Sequence, residues 1–177
     1  MAISQATLLS KAMNFSSGMR SFSEKVATEN LSNKRTAFLC HSHNDAELVK
    51  GLLVVFKEAG LDLYVDWLDH SMPETPNGET ARRIQDRIKG SDVFLFFATA
   101  NSKASRWCPW EIGYADSSSR GIYIIPTADG TGTYGNEYLQ LYPKIDSGIR
   151  RFDQAQGYAV FQPGASDGSW LNNSTLS

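Results

Sequence analysis

Apolar positions along the chain fall into short unbroken runs that alternate with stretches of helical period. Residues 92–98, Asp-Val-Phe-Leu-Phe-Phe-Ala, carry the strongest strand signal. A continuous apolar run of that length fits a strand covered on both faces. Residues 36–40 form a first such run, which stops at His41-Ser42-His43-Asn44-Asp45. Asn44 or Asp45 is placed to cap the next helix. There Leu48, Val49, Leu52, Val55 and Phe56 make a helical stripe, and Gly60 ends it. Residues 61–65 predict a second strand. A long loop over 66–78 follows, with Pro73, Pro76 and Asn77-Gly78. Residues 79–89 predict a helix with Ala81, Ile84 and Ile88 inward, Arg82, Arg83 and Arg87 outward, and Gly90 as its close. After the central run, 99–105 is a connection, 121–126 a fourth strand, 127–135 a Gly-rich loop and 158–161 a fifth strand.

The ends of the chain read differently. Residues 1–33 are rich in Ser and Ala, and Leu8, Leu9, Ala12, Met13 and Phe15 give only a weak amphipathic stripe. The expected organisation is an N-terminal arm or helix over 1–33, one folded domain over 34–163, and a C-terminal tail or short helix over 164–177.

Strands alternating with helices imply an α/β domain whose parallel sheet is covered on both faces. With the strand order 2-1-3-4-5, the order reverses between the first and third strands. Ligands of open sheets bind at that reversal, beyond the carboxyl ends of the strands. Loops 41–45 and 99–105 meet there.

The second of these loops leads into Ser105-Arg106-Trp107-Cys108-Pro109-Trp110-Glu111-Ile112-Gly113-Tyr114-Ala115-Asp116. Pro109 suits a first helical turn, where its missing N–H costs nothing. At helical spacing Trp107, Glu111 and Tyr114 share one face, bordered by Trp110. Cys108, Ile112 and Ala115 form a second, apolar stripe suited to packing on a sheet. The helix is therefore expected to carry an acid among rings on a face separate from its packing face.

Composition narrows the function. The 177 residues are 41% hydrophobic and 20% charged, ordinary for a globular protein. A net charge of −2 argues against nucleic acid as a partner. No apolar run is long enough to cross a bilayer, so no membrane partner is expected. Cys40 and Cys108 sit in apolar contexts that suit reduced thiols of a cytosolic protein, so a cytoplasmic location is expected. Strand alternation puts Cys40 on the opposite face from His41 and His43, and no second ligand pair has zinc spacing, so no metal is expected. Cys108, on the packing stripe, reads as a buried, inert thiol.

These segments resemble a TIR (Toll/interleukin-1 receptor) domain over residues 36–161. Phe38-Leu39-Cys40-His41-Ser42-His43-Asn44-Asp45 is similar to the family's first-strand motif. Val65-Asp66 and the Pro/Gly loop are similar to its second strand and BB loop. Ser105-x-Trp107-Cys108-x-x-Glu111-Ile112 is similar to its Ser-x-Trp-Cys-x-x-Glu-Leu motif. The resemblance implies a flavodoxin-like three-layer fold with a five-stranded parallel sheet. It also implies an NAD+ glycohydrolase or cyclase, with NAD+ as substrate and no cofactor, and Glu111 as the catalytic residue. Such proteins cleave the nicotinamide–ribose bond. Bacterial stand-alone members of the Thoeris-like kind make ADP-ribose or a cyclic derivative in antiphage defence. The implied partners are a second copy, through TIR surfaces, and an effector reached by the nucleotide signal.

Around Glu111, Trp107 is placed to stack on the nicotinamide or ribose. Ser42 and His43 at the end of the first strand, Asp66 and Trp67 at the start of the loop, and Ser105 before the helix are the other expected substrate contacts. A helix cap is the competing role for Ser42 and Ser105. Two other functions compete. One is a non-enzymatic TIR adaptor acting through the 66–78 loop. The other is a nucleoside deoxyribosyltransferase-like enzyme, which also sets a Glu at a ribose.

Overall fold

The computed structural model describes residues 1–15, 35–61, 63–66, 77–118, 121–150, 153–172 and 174–176. Strand β4, Val93–Ala98, is the spine of the sheet. Successive side chains of a strand point to opposite faces. Val93, Leu95 and Phe97 accordingly enter one buried cluster, and Phe94, Phe96 and Ala98 enter another. Strand β2, Arg35–Cys40, divides in the same way: Ala37 and Leu39 go to the first cluster, Phe38 and Cys40 to the second. An apolar run with no polar alternation is thus the signature of two cores, one on each side.

Helices cover both faces. α1 (Gln5–Ala12) and α2 (Ala46–Glu58) seal the first cluster with Leu8, Leu48, Val49, Leu52, Val55 and Phe56. α3 (Gly78–Gly90) and α5 (Cys108–Ser117) seal the second with Ile84, Ile88, Cys108, Ile112 and Ala115. Asn77 caps α3, its side-chain oxygen accepting from the Thr80 N–H at 2.9 Å. Gly60 ends the α2 segment at φ +72°, a left-handed conformation that a glycine adopts without strain.

β3 (Leu63–Asp66), β2, β4, β5 (Gly121–Ala128) and β7 (Lys144–Ile149) lie side by side and parallel, in the order β3-β2-β4-β5-β7. This is the 2-1-3-4-5 arrangement expected from the sequence. The strand that fills the fifth place is a correction. It is Lys144–Ile149, whose Ile145 is fully buried and whose other residues are mixed. The run at 158–161 belongs to β8 (Gln156–Phe161), which folds back antiparallel on β7. Its apolar residues are denser, and density alone does not reveal strand direction.

Both chain ends are more than an arm and a tail. Residues 1–15 carry a helix, one of the two expected forms, and it docks on the domain. β1 (Ile3–Ser4) pairs in parallel with the end of β5, and Leu8 is fully buried. The Met1 ammonium lies 3.3 Å from the buried Asp146 carboxylate, which Lys144 also meets at 2.9 Å. α1 crosses α2 at Gly51, where a Cβ would stand 1.9 Å from the Leu8 carbonyl oxygen. Residues 16–33, the rest of the expected arm, lie outside the described residues. The 164–177 segment is likewise more than a tail. β9 (Gly168–Trp170) pairs antiparallel with β8, and Leu171 and Leu176 are buried in the first cluster. The 127–135 loop is shortened from both ends, because β5 runs to Ala128 and β6 (Thr133–Tyr134) folds back on it. No helix among the described residues is long and apolar enough to cross a membrane.

Candidate active site

Parallel strands all end on the same edge, so the segments leaving β2 and β4 rise side by side. β2 leaves through a 3-10 turn, His43–Asp45, entered at Ser42. β4 leaves through a short helix, α4 (Ala100–Ala104), where the connection was expected to be irregular. Thr99 and Ser102 form a capping box: the Ser102 N–H donates to Thr99 Oγ1 at 3.0 Å, and the Thr99 N–H to Ser102 Oγ at 2.8 Å. Asp45 binds the two exits together. Its carboxylate, 1% exposed, accepts from the Thr99 hydroxyl at 2.6 Å and from Asn101 Nδ2 at 2.7 Å. At the reversal of strand order the two exits are therefore held together by a pair of hydrogen bonds to one carboxylate.

α5 delivers Glu111 to this edge. Ser105 Oγ accepts from the Trp107 N–H at 3.1 Å and the Cys108 N–H at 3.3 Å, which caps the helix start. Pro109 takes its place in the first turn. The helix then buries Cys108, Glu111, Ile112 and Ala115, the last three at 5%, 4% and 0% exposure. This corrects the expected division of faces. Glu111 stands on the inward stripe with Cys108, one turn earlier, rather than on a separate ring-lined face. At about 100° per residue it lies on the border of the two stripes, so tertiary packing decides its side. The rings stack mainly on one another. Trp107 and Trp110 meet edge-on at 5.5 Å, and Trp110 and Tyr114 stack at 5.9 Å.

A neighbour of the Glu111 carboxylate is the thiol of Cys40, within 4.8 Å. Cys108 completes a buried trio: one ligand-type atom from each of Cys40, Cys108 and Glu111 lies within 4.8 Å of the others. Cys40 Sγ also lies 3.9 Å from the Cys108 carbonyl oxygen. Burial disfavours the charged form and pushes the Glu111 carboxyl up to about 7; the nearby Cys40 thiol partly opposes this. Burial likewise raises the Cys40 thiol well above its ordinary range. Near neutral pH the site therefore holds a protonated Cys40 thiol beside a half-ionised acid.

The other expected contacts are unevenly placed. Ser42 is buried, two residues beyond Cys40, and its hydroxyl accepts weakly from the Asn44 N–H at 3.4 Å. His43 is exposed. Trp107 is half-buried, and its indole Nε1 is buried with no hydrogen-bond partner among the described residues. Asp66 ends β3 in register with Phe38. Trp67 and the rest of 67–76 lie outside the described residues.

The family can now be stated. The profile of the TIR domain matches residues 37–156. The chain belongs to the TIR family. It is 34% identical over 116 residues to a Bacillus cereus (strain MSX-D12) protein named "Probable 3' cyclic ADP-D-ribose synthase ThsB'", covering 63% of this chain and 60% of that one. It is 25% identical over 111 residues to "Putative cyclic ADP-D-ribose synthase TIR2" of Cytobacillus dafuensis, covering 60% of this chain and 29% of that one. The match thus spans less than two thirds of the length of either relative. A solved Clostridium botulinum CMP N-glycosidase, BcmB, overlaps 51% of this chain and 70% of its own at 18% identity, with a TM-score of 0.36.

Three features of this TIR domain escaped the sequence reading. One is the meeting of Cys40 and Cys108, which lie 68 positions apart. The second is Asp45 as a bolt between loops; an acid ending the first motif reads equally well as a helix cap. The third is Tyr138, whose ring lies 4.9 Å from Phe96 and whose hydroxyl is raised by burial and by nearby Glu137, Cys40 and Cys108. Gly135, at φ +92°, leads into the Asn136–Tyr138 turn and packs against Ala98, where a Cβ would be 2.7 Å from the Ala98 Cβ. The signal was Gly135 itself, a glycine directly after Tyr134 at the end of a strand.

Proposed function

We propose that this TIR domain cleaves NAD+ at the nicotinamide–ribose bond, with Glu111 as the catalytic carboxylate. The observation that carries the reading is a buried acid, held near a pKa of 7, at the strand-order reversal of the sheet. Such an acid is available as an anion at neutral pH and is poorly solvated, so it interacts strongly with any positive charge placed beside it.

The chemistry asks for little more. When the ribose C1′–N bond breaks, its electron pair goes to the cationic nicotinamide ring, which leaves neutral and needs no proton. Positive charge develops on the ribose as an oxocarbenium ion, as in glycoside hydrolysis. A fixed carboxylate beside it stabilises that charge or holds the ribose hydroxyls. Water at C1′ then gives ADP-ribose and releases a proton. A nucleophile within the same molecule gives a cyclic product instead. The names of the two relatives support a cyclic ADP-ribose product.

Trp107, Ser42 and Ser105, together with His43, Asp66 and Trp67, are proposed as substrate contacts from their places in the three motifs of the domain. Ser105 accepts two hydrogen bonds as a cap and keeps its hydroxyl proton to donate. The product is proposed to act in the cytoplasm as a signal to a separate effector in antiphage defence, with self-association through TIR surfaces. The test is incubation with NAD+ and mass spectrometry of the products. Wild type is expected to release nicotinamide, and Glu111→Gln to lose at least about a hundredfold in rate. Equal release by the two proteins would remove Glu111 from the chemistry.

A further inference from the structure

Two thiols and a carboxylate converge where only one acid is needed for the proposed reaction. We infer that Cys40, Cys108 and Glu111 form a site for a thiophilic divalent cation such as Zn2+, and that metal bound there switches the TIR active site off. The inhibitory half rests on the NAD+ reading; the binding half does not.

The geometry suits a tetrahedral ion. Zinc bonds thiolate at about 2.3 Å and carboxylate at about 2.1 Å, so its ligands stand about 3.5–3.8 Å apart. The three ligand atoms already lie within 4.8 Å of one another, and side-chain rotation of less than about 1.5 Å each closes the set. They are carried by ordered elements: Cys40 by the end of β2, and Cys108 and Glu111 by the first turn of α5, at the i, i+3 spacing that puts two side chains on one face. All three residues are buried, at 0%, 1% and 5% exposure. Three protein ligands leave one tetrahedral position for a water. The donor set of two soft sulfurs and one oxygen selects Zn2+ or Cd2+ over Mg2+ or Ca2+.

Binding costs protons. Each thiol loses one to solvent as its sulfur bonds the metal, and a protonated Glu111 loses a third. The ion then holds the carboxylate oxygen in its own coordination sphere, so that oxygen can no longer bond a ribose hydroxyl or approach the developing cation. Inhibition follows from occupation of the carboxylate and needs no movement of the fold.

The full chain tests this with Cd2+ alone as the probe. A cadmium–thiolate charge-transfer band is expected to grow to one equivalent, and the metal is expected to raise the thermal midpoint by mass action. Cys40 and Cys108 are the chain's two cysteines, so the band reports on them alone. Cys108→Ser is expected to halve the band. Glu111→Gln is expected to keep it while weakening binding beyond the roughly 10–100-fold typical of losing an outer partner. Stoichiometric Zn2+ is expected to stop nicotinamide release, and EDTA to restore it. No band and no thermal shift at one equivalent would overturn the site, and so would a Glu111→Gln affinity equal to wild type. A protein that binds Cd2+ as described but leaves NAD+ intact keeps the site and loses the NAD+ reading. One that turns NAD+ over regardless of Zn2+ keeps that reading and loses the proposal.

Discussion

The thiol of Cys40, the last residue of β2, lies within 4.8 Å of the carboxylate of Glu111 in the first turn of α5. This one contact joins the first strand of the parallel sheet to the helix that carries the acid. It also opposes the rise in the Glu111 pKa that burial imposes. Cys40→Ala removes the thiol and leaves the burial. The acid limb of the NAD+ turnover profile is expected to move to higher pH, from a midpoint near 7 in wild type. The full pH–rate profile of both proteins is the measurement. An unmoved midpoint would dissociate the thiol from the acid.

The raised pKa also predicts a stability cost. Glu111 is an acid whose folded value, about 7, lies above its ordinary 4.5. The folded state therefore binds its proton more tightly than the unfolded chain does. That contribution is complete below about pH 4.5 and is lost as pH rises through about 7. The full loss is about 3 kcal/mol at most. Glu111→Gln, neutral at every pH, is expected to be more stable than wild type at pH 8 by up to that amount and nearly equal to it at pH 4.5. Denaturant unfolding at the two pH values separates this from any general effect of the substitution.

Asp45 is expected to matter through position rather than contact with substrate. Its buried carboxylate holds the Thr99 hydroxyl and the Asn101 amide. Hydrogen bonds to a charged group contribute about 1.5–3 kcal/mol each, and breaking them strands buried partners. Asp45→Ala is expected to cost about 2–4 kcal/mol of stability. A double-mutant cycle with Thr99→Val is expected to show a coupling energy above about 1 kcal/mol, since the two groups touch. Independent, additive losses would mean that the exits of β2 and β4 are not coupled through this pair.

Two glycines on different helices should respond in opposite directions to alanine. At Gly51 a Cβ would meet the Leu8 backbone at 1.9 Å. Gly51→Ala must push α1 off α2, and a cost of about 2 kcal/mol or more is expected. At Gly113, on α5, nothing stands within 4 Å. Gly113→Ala should gain about 0.5–1 kcal/mol from helix propensity alone. Thermal unfolding ranks the two variants. Amide exchange in residues 5–12 should rise in the first and stay unchanged in the second.

Much of this domain could be read from periodicity. Unbroken apolar runs marked β2, β4 and β5 because a strand between two helical layers has no polar face to show. The stripe at Leu48, Val49, Leu52, Val55 and Phe56 marked α2 because a surface helix must bury one side. The motif around Trp107, Cys108 and Glu111 marked the acid. The pairing partner of β5 was hidden. Lys144–Ile149 contains Lys, Asp, Ser and Gly, and its place beside β5 rests on backbone hydrogen bonds and one buried Ile145. The role of residues 1–15 was hidden for the same kind of reason: a short helix docks by shape at Gly51, and a glycine in a helix carries no mark of what lies against it.

What the sequence determined by itself was local and periodic: the element types, the α/β class, the order of the first four strands, and a glutamate at the head of a helix leading from the central strand. Tertiary structure alone decided which way that glutamate turns, that Cys40 and Cys108 are its companions, and that Asp45 bolts the two loops beneath it. The physical reason is range. Side-chain period depends on neighbours a few residues away, whereas burial, charge state and the meeting of groups from separate elements depend on how the layers close over the sheet.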